Sequence, residues 1–173
     1  MLMLQSLFLH NNRHKTVNNK MYQLAQINVA KMIGANIEDP VMKEFVEHFD
    51  SVNQLAEESN GFVWRLKDED NNATGFNPFN DEQIIINLSV WKDKESLEDF
   101  TYKTFHVDFL RRRKEWFQKY GKAYYVLWWI KDGQYPSVEE ALERLDYLQK
   151  NGPSEYAFNF QTAFQKPGLN IEY

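Results

Sequence analysis

The sequence predicts an α+β fold: a ferredoxin-like βαββαβ unit with an extra helix and strand. Three observations lead there. Segments of period 2 and of period near 3.6 follow one another in that order. The helical segments open and close on residues that cap helices. The third and fourth strands carry apolar residues on both faces, which a sheet with one solvated face would not.

Tyr22 to Val29 reads as the first strand, with Leu24, Gln26 and Asn28 on one face and Ala25, Ile27 and Val29 on the other. Asp39-Pro40 sets an N-cap before a proline whose missing N–H costs a first helical turn nothing. Met42, Phe45, Phe49, Val52 and Leu55 then share one helix face, His48 reads as a boundary residue beside them, and Asn60-Gly61 supplies the stop. Phe62 to Leu66 alternates as the second strand. A polar loop, Lys67 to Glu82, follows with Gly75 and Pro78.

Ile84 to Trp91 is the third strand: Ile84, Ile86, Leu88 and Val90 on one face, Ile85, Asn87, Ser89 and Trp91 on the other. Asp93 caps a helix lined by Leu97, Phe100 and Thr104. His106 stands at a break, and a second helix carrying Phe109, Leu110, Arg113, Trp116 and Phe117 runs to Gly121. Tyr124 to Ile130 is the fourth strand. Ser137-Val-Glu-Glu140 is a capping box that opens a helix with Val138, Leu142, Leu145 and Leu148, ended by Asn151-Gly152-Pro153. Tyr156 to Phe160 fits a short edge strand. Residues 1–20 are expected to lie outside the core as an extension, 21–160 to form one domain, and 161–173 to be a tail.

Helices in such a unit are expected on one face of the sheet. The other face, too aromatic to leave in water, is expected to pack on the same sheet of a second copy, giving a homodimer.

Twenty basic against twenty-five acidic residues leave a net charge of −5, which argues against a nucleic-acid partner. With no cysteine, disulfides, thiolate metal sites and a cysteine nucleophile are excluded, and a reducing cytoplasm fits. No run reaches the ~20 apolar residues of a membrane span. Asp68-x-Asp70-x-Asn72 begins like a calcium loop, but Ala73 and Phe79 stand where glycine and glutamate are required. Phosphate-binding glycine loops, a Gly-x-Ser-x-Gly elbow and zinc-spaced histidine pairs are missing, so no metal site is expected.

The stretch that draws functional interest is His106-Val-Asp-Phe-Leu-Arg-Arg-Arg-Lys-Glu-Trp-Phe117. A histidine at a helix junction serves either as a cap or as a functional imidazole. Arg111 to Arg113 form either a solvated face or an anion site, and helical geometry turns at least one of them inward. Trp64, Trp91, Trp128 and Trp129 fit core, interface or ligand stacking. Asn28 and Asn87, facing inward at mid-strand, need partners.

Taken together, Met21-Tyr-Gln-Leu-Ala-Gln-Ile-Asn-Val-Ala30, Gly61-Phe-Val-Trp-Arg-Leu66, Ser89-Val-Trp91, the His106 to Phe117 segment and Val126-Leu-Trp-Trp-Ile130 resemble domain of unknown function 3291. The likeness spans roughly residues 21–160. It implies a dimeric α+β barrel, related to antibiotic-biosynthesis, haem-degrading and spheroidene monooxygenases. By that resemblance His106 is an axial haem ligand or an acid/base, Arg113 pairs with a propionate or another acid, and Asn28 polarises oxygen or substrate. Trp91 and Trp64 would then flank the cofactor. Two functions follow: a monooxygenase-like or haem-associated enzyme acting on an apolar or aromatic small molecule, or a non-catalytic domain for a small ligand or partner.

Overall fold

The structure, a computed structural model, describes residues 22–103, 107 and 111–168. Four strands form one antiparallel sheet: β1 (Tyr22–Lys31), β2 (Phe62–Arg65), β3 (Ile84–Trp91) and β4 (Tyr125–Lys131). Their spatial order is β2-β3-β1-β4, the arrangement the βαββαβ pattern predicts. Among the described residues no helix is long and apolar enough to cross a membrane.

Local chemistry sets the helix boundaries as expected. Asp39 accepts from the amides of Val41 (3.1 Å) and Ala35 (3.0 Å), and Pro40 begins a 3-10 turn, Pro40–Met42. The chain continues as α1 (Lys43–Glu47), breaks at His48, and resumes as α2 (Phe49–Glu58). Gly61 turns it back with φ +81°, a conformation glycine adopts without strain. Asp93 accepts from the Ser96 amide (2.9 Å) at the start of α3 (Lys94–Lys103). Ser137 accepts from the Glu140 amide (3.1 Å) at the start of α4 (Val138–Asn151).

The two sheet faces are covered by different helices of the same chain. Ala25, Ile27, Val29, Leu88, Val90, Val126 and Trp128 pack against Ala141, Leu145 and Leu148 of α4. Leu24, Trp91 and Leu127 meet Ala56 of α2, Leu97 of α3 and Phe158 on the opposite side. Helices were expected on one face only, with a second copy as the simplest cover of the other; within this chain both faces carry helices. The α4 side is sealed within one chain, with Ile27, Val29 and Trp128 fully excluded from solvent. The apolar stripe of α4 supplies the cover; strand alternation says that a face is buried, not by which element.

Two further expectations change. The helix drawn through to Gly121 ends in a 3-10 turn, Arg113–Glu115. Beyond it Phe117 bridges Met32, Ile33 donates to Trp116 O (2.8 Å) and Gln118 donates to Lys31 O (2.8 Å). Backbone groups that would have continued the helix are satisfied by the end of β1 instead. The expected fifth strand is a single bridge, Leu127 with Phe158, on the outer edge of β4. Phe164, within the stretch expected to be a tail, packs on Phe158, and its carbonyl accepts from Trp129 Nε1 (2.9 Å).

Candidate functional site

A cavity of about 450 Å³ lies between the sheet and α1–α3. Its floor comes from the two central strands. Antiparallel register sets Gln26 opposite Ser89 and Asn28 opposite Asn87, so four polar side chains meet on one face. Gln26 Nε2 donates to Asn87 Oδ1 (2.7 Å) and to Ser89 Oγ (2.8 Å), while Trp91 Nε1 donates to the same Ser89 Oγ (2.9 Å). Gln26 and Ser89 are buried, at 8% and 5% exposure. Among the described residues nothing hydrogen-bonds to the Asn28 side chain, which faces the cavity.

The walls are aromatic. The Trp91 ring lies nearly parallel to Phe100 (5.1 Å, 25°) and edge-on to Phe62 (5.4 Å, 87°). At the other end Phe45 meets Phe117 edge-on (4.9 Å) and Trp116 at 5.8 Å. Tyr102, Tyr124 and Tyr125 also line it. Burial holds the Tyr102 and Tyr125 phenols above their ordinary pKa, so both remain protonated donors.

The arginine triplet divides its work. Arg113 lines the cavity with its guanidinium 4.6 Å from the Tyr124 ring. Arg112 pairs with Glu44 (2.7 and 2.8 Å) and Glu115, and those bonds hold both carboxyls below the usual range. Arg111 is exposed.

Of the residues singled out in sequence, the cavity gathers Asn28, Trp91 and Arg113. His106 lies outside the described residues. Trp64 is not among the residues lining the cavity: a bulge between Phe62 and Trp64 shifts the side-chain parity of β2. Trp64 is carried to the α4 side, where it stacks on Tyr135 (5.2 Å, 28°). The same shift leaves Phe62 and Arg65 on the cavity side. Arg65 is 5% exposed and donates to Glu57 Oε1 (2.9 Å), Asn71 O (2.8 Å) and Asn71 Oδ1 (2.9 Å). It thereby fixes the loop whose Asn72, Ala73 and Thr74 form part of the rim. Sequence reasoning passed over Arg65, and took His48 for a boundary residue; the helix break places His48 on the cavity wall. Its neighbourhood of Phe45, Phe49 and Val52 was the available signal.

A family model described as Domain of unknown function (DUF3291) matches residues 23–172. The chain belongs to this family. Solved structures similar to this DUF3291 protein include PA3566 from Pseudomonas aeruginosa, at 10% identity and a TM-score of 0.43, covering 66% of this chain and 98% of that one. SnoaB, a cofactor-independent oxygenase from Streptomyces nogalater, matches at 14% identity and 0.40, over 65% and 94%. NE2512 from Nitrosomonas europaea, a protein of unknown function, matches at 11% and 0.42, over 68% and 98%. Likeness of this degree carries no argument about activity. No curated protein matches the DUF3291 chain.

Haem needs an imidazole, thiolate or phenolate aimed at iron. Among the described lining residues the imidazole is His48, whose Nδ1 lies 2.6 Å from Glu44 O. The floor presents amides and a hydroxyl. That donor set matches carbonyls and hydroxyls of an organic ligand.

Proposed function

We propose that this protein binds a planar, largely apolar ring system bearing carbonyl or hydroxyl groups, held between the sheet and α1–α3. The cavity supports this reading: aromatic walls over a floor of neutral hydrogen-bonding side chains. The walls favour flat apolar surface through offset and edge contacts, and the floor fixes orientation without requiring charge. Arg113 offers an anionic substituent a partner. Calorimetric titration with anthraquinone-2-carboxylate tests it. One molecule is expected to bind per chain, and Val52→Trp, which fills the cavity from α2, is expected to abolish binding. Undiminished binding by the folded variant refutes this site.

His48 favours a second reading, a monooxygenase-like reaction on the bound ring. A carbonyl only accepts, so Nδ1 donates to Glu44 O, which fixes the ring at the cavity wall. A base at the cavity wall removes the proton of a ring hydroxyl, and the electron-rich ring then reduces dioxygen. Conversion of a phenol to a quinone with release of one water balances without another reductant. Oxygen uptake with polycyclic phenols, reduced at least ten-fold by His48→Ala, is the expected result. No uptake by wild-type protein with a phenol that binds leaves the binding function alone.

A further inference from the structure

The hydrogen-bond valences of the buried floor specify the edge of the ligand, given the ring-binding reading above. Trp91 Nε1 can only donate, and it donates to Ser89 Oγ (2.9 Å). The NH₂ end of the Gln26 amide is turned to Asn87 and Ser89, at 2.7 and 2.8 Å from their side-chain oxygens. Its two hydrogens go to Asn87 Oδ1 and Ser89 Oγ. Both lone pairs of the Ser89 hydroxyl are then occupied, and its hydrogen remains to be donated. Gln26 Oε1 remains as an acceptor. Among the described residues neither has a partner for that remaining valence. The polar atoms sealed in the core without partners are elsewhere, at Gln23, Trp128 and Ser154, so Gln26 Oε1 opens onto the cavity. One donor and one acceptor therefore stand on a directly paired couple of floor residues, both side chains at least nine-tenths buried.

We infer that the cavity selects a flat ring system carrying an adjacent acceptor and donor on one edge, as in a fused cis-lactam or a vicinal hydroxy-ketone. The ligand carbonyl accepts from Ser89 O–H, and the neighbouring N–H or O–H donates to Gln26 Oε1. An isostere lacking the donor leaves Gln26 Oε1 facing apolar surface, which a buried acceptor tolerates poorly. Both edge types share this chemistry; a lactam cannot lose its proton near neutral pH, which makes it the cleaner probe.

The test compares three ligands on the wild-type protein: 6(5H)-phenanthridinone, its N-methyl derivative, and phenanthrene. The lactam is expected to bind at least roughly ten-fold tighter than either of the others. Ser89→Ala is expected to remove most of that preference, read as the ratio of lactam to phenanthrene affinity. 3-Hydroxyflavone, with the vicinal hydroxy-ketone edge, distinguishes the two sources by its affinity relative to the lactam. Equal binding of all three first ligands overturns the edge inference and leaves the ring-binding function standing. Failure of all of them to bind overturns both.

Discussion

Arg65 offers the most direct check on how the cavity rim is held. Its guanidinium, 5% exposed, makes two bonds to Asn71 and one to Glu57. Arg65→Met keeps the stem's volume and removes all three. Charge-assisted bonds to Asn71 contribute about 1.5 kcal/mol each at the low end. Glu57, 40% exposed, regains water, so its loss costs less than about 1 kcal/mol. Part of this is offset because the guanidinium need no longer be desolvated. The expected net loss is about 2 kcal/mol in urea unfolding. Amide exchange at Asn72 and Gly75, whose N–H groups are held by Asp68 in the same loop, should quicken more than exchange in β1. A loss under about 0.5 kcal/mol with unchanged loop protection would refute the idea that Arg65 anchors the rim.

Leu145→Ala, on the buried face of α4 at 3% exposure, should cost about 2–4 kcal/mol by thermal or urea unfolding; a cost near zero would mean that α4 does not close the sheet. Gly61→Ala combines a positive φ with a Cβ placed 2.1 Å from Ser96 Oγ. It should cost about 2–4 kcal/mol, and a stabilised variant would contradict the turn geometry. Asp39 is held below the usual aspartate pKa by the amides of Ala35 and Val41. Its folded value being the lower one, the unfolded chain binds more protons in acid. The stabilisation is complete above the ordinary carboxylate pKa, near 4, and is lost as pH falls through the folded value. Asp39→Asn should flatten that part of the stability–pH curve, and an unchanged curve would count against the cap.

The amino-acid order by itself determined the elements and their pairing. Asp39-Pro40, Ser137 with Glu140, and Gly61 act over a few residues, so their geometry is local and readable. Alternation likewise put Gln26 with Asn28 on one face of β1, and Asn87 with Ser89 on one face of β3; the register between the strands joined the two pairs. Only tertiary structure decided what covers each face, because strand periodicity records burial and not its source. Tertiary contacts also decided where the second helix ends, since Met32 lies far along the chain from the Phe117 it bridges. The bulge in β2 reversed one tryptophan's direction and brought Arg65 inward. A one-residue slip of this kind leaves composition and hydropathy untouched, yet moves a side chain to the opposite face of the sheet.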